Sequence, residues 1–161
     1  MQKGEERFYF KIKEALEEEF RFSKEVYFEI THKKKPSNKI KKHLGDLALY
    51  AVNIERLYPD ITGYAVVSSP ELFKNLETRL IVAEVKSKVK LKDIYQAKCY
   101  GEIFNAYYIF IIHIEPLSEE IRRFLKNRPE VLSYCAGYRN IYLSRFDKGS
   151  KKIDWYFRKP F

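Results

Sequence analysis

Apolar residues recur every four positions at Phe8, Ile12, Leu16 and Phe20, which predicts a helix over residues 4–21. Residues 25–31 then switch to strict alternation. Val26, Phe28 and Ile30 share one face and Glu25, Tyr27 and Glu29 the other, the pattern of a half-buried strand. Residues 32–43 carry six lysines around a Pro-Ser-Asn turn and read as a loop leading into a helix at about 40–57. That helix would bear a broad stripe of Ile40, Leu44, Leu47, Ala48, Ala51 and Ile54. Pro59-Asp60 breaks it and a strand follows at about 61–68. Residues 69–78, with Ser-Ser-Pro and Lys-Asn, read as a connecting loop with room for a short helix. Leu80 to Lys86 is an apolar strand ending in charge.

Residues 91–105 form a helix with Asp93 near its positive end. Ala106 to Ile114 is a continuous β-branched and aromatic run, expected of a strand buried on both faces, with His113 as a core histidine. Cys99 is expected in the core as well. Ser118 caps a short helix at 119–127 that Pro129 stops. Residues 139–146 and 151–158 read as a final hairpin. No repeat or linker interrupts the chain. The expectation is one α/β domain over residues 1–161, a central mixed sheet flanked by helices with a C-terminal hairpin.

Composition narrows the function. The chain has 161 residues, 45% apolar and 33% charged, which suits a globular domain. Its longest apolar run, around Tyr107–Ile112, is too short to span a bilayer. No charged-then-apolar leader opens the chain, so a cytoplasmic location is expected. Two cysteines and three histidines make neither a disulfide framework nor a zinc-spacing motif, and cannot ligate an iron–sulfur cluster. Lys and Arg total 31 against 22 Asp and Glu, a net charge of +9 that favours a polyanionic partner. Abundant Lys and Glu with two Gln suggest a thermophilic source.

The chemistry gathers in the middle of the chain. Residues two apart in a strand share a face, so Glu84 and Lys86 project together. If the strand after Asp60 pairs with the one ending in Glu84, the two carboxylates converge at one end of the sheet. Such a pair suits a hard divalent cation, with water and phosphate oxygens completing its shell. A lysine beside it could position water or stabilise charge developing on phosphate. Gln96 and Tyr100, four apart on the next helix, could point at the same place.

Pro59-Asp60, then Glu84-Val85-Lys86, then Gln96-Ala-Lys-Cys-Tyr100 resembles the PD-(D/E)xK nuclease superfamily, and the last element is similar to its RecB-type branch. With 17 Glu and 21 Lys, about two Glu-x-Lys triplets arise by chance, so the order of the motifs carries the likeness. The resemblance implies a restriction-endonuclease-like core and a Mg²⁺- or Mn²⁺-dependent deoxyribonuclease acting in DNA repair, recombination or defence. It makes Asp60 and Glu84 metal ligands, the carbonyl of Val85 a further ligand, Lys86 the water-activating group, and Gln96 and Tyr100 supports. Family members often add an upstream Glu or His. Glu5, Glu6, Glu14, His43 and Asp46 are available here, with His43 the one selected. Lys33, Lys34, Lys35, Lys39, Lys41, Lys42, Lys88 and Lys90 would grip the nucleic acid.

The nearest rival within the class is a Holliday-junction resolvase, which would work as a homodimer. A rival of another class is a non-catalytic nucleic-acid-binding module on the same fold. DNA is the expected partner, although net charge does not separate DNA from RNA, and no membrane is implicated. Asp60→Ala or Glu84→Ala is expected to abolish cutting while leaving folding and DNA binding largely intact.

Overall fold

The computed structural model describes residues 4–68, 75–157 and 159–161. A 3₁₀ turn at Glu6–Phe8 leads into α1 (Tyr9–Glu19), followed by β1 (Glu25–Ile30). Two short helices come next, α2 (Asn38–Lys41) and α3 (Asp46–Asn53), then β2 (Ile61–Ser68) and β3 (Leu76–Lys86). The remainder is α4 (Leu91–Phe104), β4 (Tyr108–His113), α5 (Glu119–Asn127), β5 (Ser133–Tyr134), β6 (Arg139–Asp147) and β7 (Lys152–Trp155).

Among the described residues seven strands form one mixed sheet in the order β1-β2-β3-β4-β6-β5, with β7 also on β6. β1, β2 and β3 are antiparallel, β3, β4 and β6 run parallel, and β6 and β7 make the antiparallel C-terminal hairpin. Period-two alternation sends successive side chains to opposite faces, and each face carries its own core. Tyr64, Leu80, Val82, Ile109 and Ile111 meet α2 to α5 on one side. Ile61, Ala65, Ile81, Ala83, Phe110 and Ile112 meet Ile12, Leu16 and Phe20 of the α1 side on the other. β4 is buried along its whole length, as a strand between two helical layers must be.

Three expectations change. The helix expected at 40–57 is two helices, broken between Lys41 and Asp46, with Gly45 extended at the cap of α3. The break rephases the stripe. Ile40, Leu44, Ala48 and Ala51 are buried, whereas Leu47 and Ile54 face outward. β3 starts at Leu76, so part of the expected loop is strand, and the short helix expected nearby falls on residues 69–74, outside the described residues. Cys99 is exposed, because Ile94, Ala97, Tyr100 and Phe104 occupy the buried face of α4. His113 is a core residue as expected, with Nδ1 2.5 Å from the Glu115 carbonyl, and burial lowers its pKa. No helix among the described residues is long and apolar enough to cross a membrane.

Gly63 shows how closely the edge of the sheet is packed. A Cβ there would lie 2.5 Å from the Tyr27 carbonyl and collide with the Phe28 ring, so β1 and β2 can meet in this register only over a glycine.

Candidate active site

Antiparallel pairing of β2 with β3 brings Asp60 and Glu84 together. Ile61 faces Ala83, so Asp60, one residue before β2, lies beside Glu84 near the end of β3. The backbone locks this arrangement. Asp60 N–H donates to Glu84 Oε1 at 3.3 Å, and Val85 N–H donates to Asp60 Oδ2 at 2.8 Å. Asp60 is 6% exposed and Glu84 2%. Two carboxylates held this close out of water repel each other, and that shows on Glu84. Burial first, then the Asp60 charge, raises its pKa far above the ordinary carboxylate range.

Lys86 leaves β3 on the same face and places Nζ 3.2 Å from Glu84 Oε2. Its own burial would lower its pKa, but Glu84 and Asp60 outweigh that and raise it. Lys86 thus brings a donor and a positive charge to the acidic pair. β3 is followed by a short turn into α4, whose first turn is fixed by Lys90 N–H donating to the Asp93 carboxylate at 2.7 Å. α4 then folds back over the same face of the sheet. Tyr100 is buried against the site, and its pKa is pushed up to about 12 by burial and then by Glu84, with the Gln96 amide acting the other way. Gln96 is exposed, one turn earlier.

Asp60, Glu84, Lys86, Gln96 and Tyr100 all line one cavity of about 310 Å³. Convergence of the residue preceding β2 with residues of β3 and α4 is thus a fact of the structure. Val85 borders the pair through its N–H, while its side chain lies in the core on the opposite face.

Two residues that sequence reasoning missed hold Asp60 from the other side. His32 Nδ1 lies 2.7 Å from Asp60 Oδ1, and Tyr9 Oη donates to the same oxygen at 3.1 Å. Burial and the Asp60 charge raise the Tyr9 pKa, so it remains a donor. His32 Nε2 is buried, with a Glu6 carboxylate oxygen 3.3 Å away that is not aligned as a hydrogen bond. The end of β1 is stitched to the Asp60 segment as well: Thr31 and His32 N–H both donate to the Asp60 carbonyl, and Thr31 Oγ1 to the Pro59 carbonyl.

His43, the upstream residue selected from sequence, is not there. Its ring packs 4.4 Å from Tyr64, and it lines a separate cavity with Asp46. The break before α3 carries both away from the acidic pair. Of the other upstream candidates, Glu5 lines the site and accepts Ser87 N–H at 2.6 Å, and Glu6 reaches His32. Among the lysines named for gripping nucleic acid, Lys33 lines the cavity. Lys39 lies over the Tyr27 ring at 4.1 Å and Lys88 pairs with Glu115 at 3.4 Å.

The donor set suits a hard cation. It offers oxygen ligands and no thiolate, and the two like charges face one space. No group of three His, Cys, Asp or Glu among the described residues is arranged to hold a metal ion on its own. A Mg²⁺ site of two carboxylates leaves the remaining positions to water and phosphate, so the residues present fit that ion as part of a complex with substrate. Comparison with protein-family models, curated proteins and solved structures finds no match to this chain.

Proposed function

We propose that this chain is a metal-dependent nuclease that hydrolyses DNA phosphodiester bonds. The observation that carries the reading is the meeting of Asp60, Glu84 and Lys86 with Gln96 and Tyr100 in one cavity. In this reading Asp60 and Glu84 hold Mg²⁺ or Mn²⁺, which when bound supplies Lewis-acid neutralisation of charge developing on the phosphate.

The chain's own residues do the rest. Asp60 is fixed by His32, Tyr9 and the Val85 N–H, so its carboxylate is already oriented to hold the ion. Lys86, kept protonated by its neighbours, donates to the attacking water or to a phosphate oxygen and offsets the added negative charge. The Tyr100 hydroxyl and Gln96 amide, both neutral donors, orient the scissile phosphate from the helix side.

Calorimetric titration with Mn²⁺ tests the metal assignment. The wild type should bind near the acidic pair, and Asp60→Asn should lose that binding while remaining folded. Asn is the better variant here. Asp60→Ala would strand the buried Val85 N–H, a penalty of about 1–3 kcal/mol. Equal Mn²⁺ binding by both proteins would leave a nucleic-acid-binding module as the better reading.

A further inference from the structure

Arg56 lies between α3 and β2 and lines the same cavity as the acidic pair. Among the described residues its guanidinium has no hydrogen-bond, ion-pair or ring partner, and the residue is exposed. Lys33 lines the cavity too, its side chain 65% exposed and 3.3 Å from Glu6. Both residues have left-handed backbones, φ 54° at Arg56 and φ 58° at Lys33, where glycine would sit without strain. The cavity therefore has a buried acidic floor, Asp60 and Glu84, and an exposed basic mouth, Lys33 and Arg56.

These two sets of charges recognise different parts of a ligand. The floor takes a phosphate only through a cation, the Lys86 ammonium or a bound metal, beside its carboxylates, whereas a free guanidinium and an ammonium at the mouth attract phosphate directly, the guanidinium with two parallel donors. A ligand that satisfies both carries one phosphate to the floor and others at the mouth. We infer that Arg56 and Lys33 grip phosphates neighbouring the one that reaches Asp60 and Glu84. This rests on the phosphodiesterase reading of the floor, but it is measured by binding alone.

The test uses fluorescein-labelled single-stranded and duplex DNA in Ca²⁺ without Mg²⁺, with affinity followed against salt concentration. Arg56→Gly and Lys33→Gly keep the left-handed backbone while removing the charge, so each should keep or raise Tm. Each should bind about 3- to 10-fold more weakly and lose about 0.7–0.9 from the slope of log K against log salt, one phosphate contact apiece. Arg56→Lys should retain most of that slope. Lys126→Ala, on the exposed side of α5, controls for diffuse surface charge and should behave as wild type. Wild-type slopes in both glycine variants, or an equal loss in Lys126→Ala, would overturn the inference. A wild-type chain that never cuts, yet loses slope through Arg56→Gly, would refute the nuclease reading and uphold the grip.

Discussion

Replacing Glu84 by Gln should stabilise the metal-free protein at alkaline pH while removing the proposed nuclease activity. Glu84 is 2% exposed, and burial with the Asp60 charge raises its pKa from 4.5 to about 8. A carboxyl whose folded-state value is raised adds stability that is complete below its unfolded value and is lost as pH climbs through the folded one. The window therefore runs from about pH 4.5 to about pH 8. At about 1.4 kcal/mol for each tenfold change in proton affinity, the whole displacement caps the alkaline penalty at about 5 kcal/mol. Gln escapes that penalty, in which the opposing attraction of Lys86 at 3.2 Å is already counted, and gives up part of the gain through imperfect packing of the amide in the carboxyl's place. The expected net gain is about 1–3 kcal/mol at pH 8.5, or about 2–4 °C of Tm per kcal/mol in a chain of this size. At pH 5 the wild-type carboxyl is protonated and the two proteins should match. Urea unfolding of both from pH 5 to 8.5, in EDTA, reads this directly. A Glu84→Gln variant less stable than wild type by the same amount at every pH would refute the reasoning.

Other outcomes follow from the same contacts. His32→Ala removes the 2.7 Å partner that orients Asp60 and should weaken Mn²⁺ binding about 10- to 100-fold by calorimetry, as loss of a ligand-orienting residue does elsewhere. His43→Ala, in a different cavity, should leave Mn²⁺ affinity unchanged while costing about 1 kcal/mol of stability through the lost Tyr64 contact. Gly63→Ala forces a methyl onto the Tyr27 carbonyl and Phe28 ring, and thermal unfolding should show a loss of about 3 kcal/mol or more.

The parts of the fold visible in the sequence are those in which one period runs uninterrupted. β2 occupies 61–68 as its pattern predicts, and α4 and β4 follow theirs closely. The break in the 40–57 helix is hidden because Ile40, Leu44 and Ala48 keep a spacing of four across Gly45, which gives the break no apolar signature. The early start of β3 was obscured by the neighbouring Ser-Ser-Pro segment, although Leu76 to Leu80 pairs with β2.

Convergence of Asp60 with Glu84 was legible because it needs only one strand pairing and a shared parity. His32 was not. It sits 28 residues from Asp60 at the head of a lysine run, and its role depends on β1 joining the far side of β2. The available signal was the clean alternation of residues 25–31. It ends at Thr31, and once β1 is paired antiparallel to β2, the residues after Ile30 fall opposite those before Ile61. Tyr9 was masked in the same way, since its spacing on α1 reads only as a helix facing the sheet.

If Asp60 and Glu84 make a metal-dependent phosphodiesterase, DNA cleavage must follow the metal and the two carboxylates. The most direct test of that role is cleavage of end-labelled DNA, offered as single strands, duplex ends and four-way junctions alongside an RNA strand, with and without Mg²⁺. Wild-type protein should cut at least one DNA form only when Mg²⁺ is present, and Asp60→Asn and Glu84→Gln should lose that cutting while retaining wild-type folding. Undiminished cleavage by both variants, or none by the wild type with either Mg²⁺ or Mn²⁺, would contradict it.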